Sequence, residues 1–100
     1  MRKRFVIGIQ TTTAEQDKAF ISFIESNGIT WWHWIGGFWL LVDPQGAMTE
    51  MVLRDKLRET HPEARSLVIC VPESTVGWAG FGPNTAEHDM SAWIRETWDK

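Results

Sequence analysis

The stretch that decides the fold is Thr30-Trp-Trp-His-Trp-Ile-Gly-Gly-Phe-Trp-Leu-Leu-Val42. Two apolar runs joined by two glycines are typical of a tight β-hairpin. Side chains alternate between the faces of a sheet, and directly opposed residues share a face. The predicted pairs on one face are Ile35/Phe38, His33/Leu40 and Trp31/Val42, and those on the other are Trp34/Trp39 and Trp32/Leu41. Both faces are apolar, so we expect the chain's own helix, a second subunit or a ligand to cover the second one.

The segments around the hairpin complete a βαββαβ chain. A first strand is expected at residues 5–9, a helix capped by Thr12 or Thr13 and ended by Asn27-Gly28, a second helix at residues 49–60, and a fourth strand at residues 66–71. This order predicts an α+β, ferredoxin-like fold, with two helices on one face of a four-stranded antiparallel sheet.

A further C-terminal helix is predicted after the last strand. A glycine-rich loop at residues 77–84 precedes Thr85, which can cap a helix. The apolar residues that recur there at helical spacing are Met90, Trp93, Ile94 and Trp98. If this helix folds back, its Trp93 and Trp98 side chains could cover the second sheet face, with the loop as its hinge; a second subunit is the alternative cover. Residues 1–100 then form a single domain.

Composition and charge exclude several classes of protein. The net charge of -3 argues against an extended nucleic acid as partner, because phosphate-backbone binding needs a basic excess. No apolar stretch approaches the ~18 residues that span a bilayer, so no membrane partner is expected. The single cysteine, Cys70, lies in an apolar run and is expected to pack as a small hydrophobic residue. A reducing compartment follows, and the predicted location is the cytoplasm.

Catalytic and metal-ligating patterns are weak. The three histidines, His33, His61 and His88, are far apart in the sequence and show no zinc-ligand spacing. The glycines of the 77–84 loop lack the lysine and hydroxyl residue of a phosphate-binding loop. We therefore predict no catalytic residue, no metal and no cofactor.

The seven tryptophans predict a binding surface for a planar ligand. A nucleobase stacked on an aromatic side chain gains roughly 1 to 3 kcal/mol. The candidate ligand-binding residues are Gln10, Thr11, Trp32, His33, Trp34, Trp39, Trp78 and Phe81. Gln10, Thr11 and His33 would supply the hydrogen bonds. The alternative is that the hairpin tryptophans are covered by the third helix or a subunit, and that Trp78 and Phe81 plug the edge of the core.

Three groups of residues carry a resemblance to a known family. They are the first strand Phe5-Val-Ile-Gly-Ile-Gln10, the tryptophan hairpin, and Gly77-Trp-Ala-Gly-Phe81 followed by a tryptophan-rich segment. With the order of elements, they resemble the SinR-like relatives of the small CRISPR adaptation nuclease subunit. The resemblance covers nearly the whole chain and implies a ferredoxin-like fold and a tendency to dimerise.

The resemblance also bears on catalysis. In the family that the chain resembles, an aspartate at the end of the first strand is taken to hold a metal for phosphodiester cleavage. The matching position in this sequence is Gln10. A neutral amide is a poor ligand for a hard cation that prefers carboxylates. The departure predicts that this chain does not cleave nucleic acid.

Three functions compete at this stage. The first is a non-catalytic homodimer or higher oligomer that binds or sequesters a nucleotide or other small planar ligand, as phage counter-defence proteins of this size do. The second is a divergent metal-dependent nuclease, in which another acid replaces the missing aspartate. The third is a protein-interaction or structural subunit whose tryptophans bury an interface. We favour the first.

Overall fold

The computed structural model describes residues 1–10, 12–74 and 76–100. The strands are β1 (Lys3–Ile9), β2 (Thr30–Ile35), β3 (Phe38–Asp43) and β4 (Ser66–Val71), and the helices are α1 (Ala14–Ser26) and α2 (Glu50–Thr60). The elements therefore follow the predicted order, and β4 has the predicted bounds. The chain is an α+β protein with an open antiparallel sheet, compatible with a ferredoxin-like fold.

The helices begin where the sequence predicts. Thr13 caps α1, because its hydroxyl accepts from the backbone N–H of Gln16 while the Gln16 side chain accepts from the Thr13 N–H. This reciprocal pair satisfies two amides that the first turn of a helix leaves free. Thr49 caps α2 by accepting from the N–H of Val52.

The four strands lie in the order β2-β3-β1-β4, so β1 is central and pairs antiparallel with both β3 and β4. The β2–β3 turn is tight, and Gly37 adopts a φ of 78°, which favours glycine. Its carbonyl accepts from the N–H of Ile9 at 2.7 Å, so the turn is fixed to the end of β1.

The predicted pairing of the hairpin is wrong except at its tip. Ile35 opposes Phe38 as expected, but Trp31 opposes Leu41 and Trp32 opposes Leu40. The register shifts by one residue between Trp32 and Ile35, which is the effect of a β-bulge. A shift of one residue exchanges the faces of the side chains beyond it. Trp31 therefore shares a face with Leu41, and Trp32 shares the opposite face with Leu40. The predicted pair of Trp34 and Trp39 is not formed.

Both helices pack on one face of the sheet, which we call the helix face. The fully or nearly fully buried residues there are Phe5, Ile7, Phe20, Ile24, Trp39, Leu41, Leu53 and Leu57. Trp39 is at the centre, with its indole 5.4 Å from the Phe20 ring in an edge-to-face arrangement. Burial of this apolar face is the main driving force for docking the helices.

The C-terminal segment covers the second face of the sheet. Met90, Ile94 and Trp98 form a second buried cluster with Trp32, Leu40 and Val42. Of the two possible covers, the C-terminal segment itself is therefore the one present. The predicted helix is not confirmed, because helical geometry is limited to residues 92–98, of which Ile94–Trp98 is π-helical.

Local hydrogen bonds explain why no helix begins at Thr85. The N–H of Thr85 donates to the carbonyl of His88, and the Thr85 hydroxyl accepts from the His88 N–H, which closes a single turn. Asn84 and Asp89 then pair as an antiparallel bridge. The Asp89 carboxylate caps the next turn by accepting from the N–H groups of Ser91 and Ala92. The helical geometry thus starts at residue 92, well after the predicted cap at Thr85.

Two further expectations concern the surface. Cys70, predicted to pack as a small hydrophobic residue, is exposed, because it lies on the edge strand β4, in which no residue is buried. Within the described ranges, no helix is long and apolar enough to cross a bilayer.

Candidate functional site: two aromatic hollows and a carboxylate–histidine cluster

The first hollow lies between the second sheet face and the loop that follows β4. It has a volume of about 350 Å³ and is lined on the sheet side by Val6, Trp32 and Phe38, and on the loop side by residues 76–80. Met90, Ile94 and Trp98 close its far wall. Small-molecule pockets measure roughly 300 to 1,000 Å³ and are mostly apolar with few polar groups. We call this hollow the loop cavity.

Of the two loop aromatics predicted to bind a ligand, only one lines the cavity. Trp78 lines the loop cavity, and its indole N–H donates to the carboxylate of Asp99 at 2.9 Å. Phe81 is fully exposed and is not among the residues that line the cavity. Trp78 therefore presents an indole to the cavity and is held at its rim by a polar contact, whereas Phe81 has no part in it.

The second hollow is an open groove of about 470 Å³ along the exposed edge of β2. The residues that line it are Trp31, Trp32, His33, Trp34 and Trp93. We call it the indole groove. Trp32, His33 and Trp34 are predicted site residues that the structure brings together here. Trp32 also lines the loop cavity, and its own N–H donates to the carbonyl of Met90 at 2.7 Å.

Trp39 is not part of any ligand-binding surface. Its side chain is fully buried between the sheet and α1, so a ligand cannot reach it while the core remains packed. The side chain points toward the helices because Trp39 pairs with Ile7 of the central strand, whose side chain lies in the same buried cluster.

Gln10 has a structural role at the end of β1. The side-chain oxygen of Gln10 accepts from the backbone N–H of Arg65 at 2.9 Å, and the backbone N–H of Gln10 donates to the Arg65 carbonyl. These bonds continue the β1–β4 pairing by one residue. Gln10 lines neither the loop cavity nor the indole groove. Thr11, the other predicted hydrogen-bonding residue, lies outside the described residues.

The carboxylate of Asp17 lies between two histidines on the helix side of the hairpin, a contact that the sequence does not predict. One oxygen of Asp17 is 3.2 Å from Nε2 of His61, and the other is 3.5 Å from Nε2 of His33. The Thr12 hydroxyl donates to the second oxygen at 3.1 Å. We call these residues the Asp17 cluster. His61 is almost completely buried and His33 is partly exposed.

The Nδ1 atoms of both imidazoles also have hydrogen-bond partners. Nδ1 of His33 lies 2.9 Å from the carbonyl of Phe38, which only accepts, so this nitrogen carries a proton. Nδ1 of His61 lies 2.7 Å from the Thr60 hydroxyl. The imidazole of His33 is stacked on Trp39 with ring centroids 3.8 Å apart. The cluster thus joins the N-terminus of α1, the end of α2 and the bulged part of β2.

No metal site emerges in the described parts of the chain, where no group of three or more His, Cys, Asp or Glu side chains is placed to hold an ion. Asp43, the last residue of β3, is another buried acid. Its two oxygens accept from the N–H groups of Gln45 and Met48. Asp43 therefore stabilises the connection to α2.

The comparisons with known proteins give no relative. A scan against protein-family models and searches of curated proteins and of solved structures found no match.

Proposed function

We propose that the protein is a non-catalytic binding protein that holds a small planar ligand, such as a nucleobase or nucleotide, in the loop cavity. The observation that carries this proposal is the cavity itself, an apolar space between Trp32 and Phe38 on the sheet and Trp78 on the loop. A flat aromatic ring can exchange water for contact with these side chains on both of its faces. Stacking of this kind is tolerant of the base, which fits a sequestering function.

The phosphate groups of a nucleotide would face a hollow of mixed charge next to the cavity. Arg2, Arg4 and Lys100 line it together with Glu73 and Asp99. Both arginines already donate to backbone carbonyls of the C-terminal segment. A triphosphate would therefore gain little there, and we propose that recognition rests on the ring.

Two broader assignments belong to the same proposal. The strand order β2-β3-β1-β4 supports a ferredoxin-like fold and, with it, a relationship to the SinR-like proteins. The exposed thiol of Cys70 favours a reducing compartment such as the cytoplasm, because an exposed thiol is open to oxidation elsewhere.

Replacing Trp78 by alanine tests the proposal. We expect Trp78→Ala to weaken binding of the ring by about 1 to 3 kcal/mol, the usual contribution of one stacked base. The melting temperature should change little, because Trp78 is more than one-third exposed and lies in a loop. Calorimetric titration with a panel of nucleosides and their monophosphates, with and without magnesium, measures the affinity.

Phe81→Ala is the matched control, because it removes a ring from the same loop that does not line the cavity. Its affinity should equal that of the unmodified protein. The proposal fails if no member of the panel binds, or if both substitutions weaken binding equally. A large fall in melting temperature with unchanged affinity would make Trp78 a core plug.

We further propose that the protein is a homodimer joined along β4. This strand is at the sheet edge, contains no charged residue or proline, and exposes Leu67 and Ile69. Natural proteins usually protect a free edge with charges, proline or a bulge. The opposite edge, β2, has the bulge. A second copy fits β4 because a two-fold axis lets one strand pair antiparallel with itself.

A lysine at the exposed edge should separate the dimer. We expect Ile69→Lys to lower the sedimentation mass at tens of micromolar to that of one 11.5 kDa chain, because pairing would bury the new charge. Met51→Lys, at an exposed position on α2, should leave the dimer intact. A monomeric unmodified protein would exclude this interface, as would a dimer that persists in Ile69→Lys.

A further inference from the structure

The chain that forms the loop side of the loop cavity is held at both of its ends. The carbonyl of Ser74 accepts from the guanidinium of Arg4 at 2.6 Å, and the carbonyl of Pro83 accepts from the backbone N–H of Met90 at 2.8 Å. Both donors belong to packed parts of the protein, because Arg4 and Met90 are almost completely buried. Residues 76–82 therefore lie between two fixed points.

Between these points the chain has few bonds of its own. Residues 76–82 are all exposed, and they form no backbone–backbone hydrogen bond with another described residue. Among the described residues, their one side-chain hydrogen bond is that of the Trp78 indole N–H to the Asp99 carboxylate at 2.9 Å. Segments with exposed backbone and few contacts open locally while the rest of a domain stays folded. One polar contact thus holds this segment over the cavity.

The glycines of the segment allow both movement and close packing. A Cβ at Gly77 would meet no atom within 4 Å, so no neighbour restrains a change of the backbone angles there. At Gly82 a Cβ would collide with the side chain of Met90, and at Gly80 it would lie 3.2 Å from Cε of the same residue. The segment therefore lies directly on Met90, which also lines the cavity.

We propose that residues 76–82 are a lid over the loop cavity, and that the bond between Trp78 and Asp99 is its latch. This inference rests on the proposed function, because it describes how the ligand of that cavity enters and leaves. Opening breaks the latch and withdraws the indole that stacks on the ligand. The latch is present in the closed form with and without ligand, so it sets the rates of exchange more than the affinity. Slow release suits a protein that sequesters its ligand.

Methionine oxidation tests the lid without a ligand. Met90 lies under the lid and is 6% exposed, whereas Met48 is 8% exposed and lies in the core on the helix face. The initial rate of oxidation by hydrogen peroxide, measured by mass spectrometry of peptides, reports how often each side chain is uncovered. We expect Asp99→Ala to raise the rate at Met90 about two- to tenfold, the factor that corresponds to one ordinary hydrogen bond. Asp99→Asn keeps an oxygen acceptor and should change it less.

Met48 should keep its rate in both variants, because the lid does not cover the helix face. An unchanged rate at Met90 in Asp99→Ala would overturn the proposal. A parallel rise at Met48 would overturn it as well, since it would show that the whole domain opens.

Stopped-flow tryptophan fluorescence with adenosine tests the effect of the latch on binding. We expect Asp99→Ala to raise the association and dissociation rate constants by the same two- to tenfold factor, roughly one hydrogen bond, and to leave the affinity nearly unchanged. Trp78→Ala should instead weaken the affinity, because it removes the stacking ring. Unchanged rate constants in Asp99→Ala would overturn the lid. If no nucleoside of the panel binds while Met90 responds as expected, the proposed function fails and the lid stands.

Discussion

Replacing Trp39 by alanine is expected to lower the free energy of unfolding by about 3 to 5 kcal/mol, the usual cost of removing a large aromatic ring from a core. Trp39 is fully buried, contacts Phe20 edge to face, and supports the imidazole of His33 on its own ring. Because small domains are stable by only about 5 to 15 kcal/mol, this loss brings the chain close to unfolding. Urea denaturation followed by far-UV circular dichroism measures it.

Two matched variants show whether the cost comes from the core position. Trp34→Ala removes the same side chain from the partly exposed side of the hairpin, and we expect a loss below about 1 kcal/mol. Trp39→Phe keeps an aromatic ring and removes an indole N–H that has no hydrogen-bond partner in the described parts of the chain. Its cost should lie between the two. Similar losses for Trp34→Ala and Trp39→Ala would contradict the register described here.

The register shift in the hairpin shows where sequence reasoning stops. Alternation and the glycine pair correctly predict two strands and a turn, because these features are local. At the extra residue between Trp32 and Ile35, the imidazole of His33 contacts the carbonyl of Phe38 and the carboxylate of Asp17. Phe38 belongs to the hairpin, but Asp17 comes from α1. No rule based on the hairpin alone includes that second contact.

The Asp17 cluster was missed for a related reason. Asp17 has the position of an ordinary acidic residue in the first turn of a helix, where it complements the helix dipole. Its histidine partners lie 16 and 44 residues further along the chain, so no ligand-like spacing connects them. Only the packing of α1 beside α2 and β2 reveals the contact. The burial of His61 would have indicated that this histidine has a polar partner. The sequence shows only a histidine before Pro62 at the end of a helix, which does not reveal that it is buried.

For the C-terminal segment, the sequence predicts the shared surface of the side chains but not the length of the helix. The spacing of Met90, Ile94 and Trp98 correctly predicts that these side chains share one surface, and the structure shows that this surface covers the second sheet face. Periodicity reports the shared surface, but it does not show how many residues are helical. Asp89 and the bridge to Asn84 set the start of the helical turn, and side-chain capping of this kind competes with a longer helix.

Arg4 holds this segment in place from the central strand. It is almost completely buried, and its guanidinium donates to the carbonyls of Pro72 and Ser74 at 2.6 Å and of Trp98 at 3.2 Å. The same group lies 4.9 Å from the centroid of the Trp98 ring. One side chain thus connects β1 to the loop after β4 and to the end of the chain, the two elements that enclose the loop cavity.

Arg4→Met is therefore expected to lower the free energy of unfolding by roughly 2 to 4 kcal/mol. A hydrogen bond to a charged group contributes about 1.5 to 3 kcal/mol, and water entering the opened end of the segment restores part of what is lost. Methionine retains apolar contact with Trp98, so the loss reports the three carbonyl bonds together with the guanidinium's charge interactions with Glu73 and the Trp98 ring. Arg54→Met, at an exposed position on α2, should cost less than about 0.5 kcal/mol. Hydrogen exchange should show faster exchange at residues 90–98 in Arg4→Met while β1 and β3 stay protected. Uniform loss of protection would mean that Arg4 stabilises the whole sheet and not the C-terminal cover.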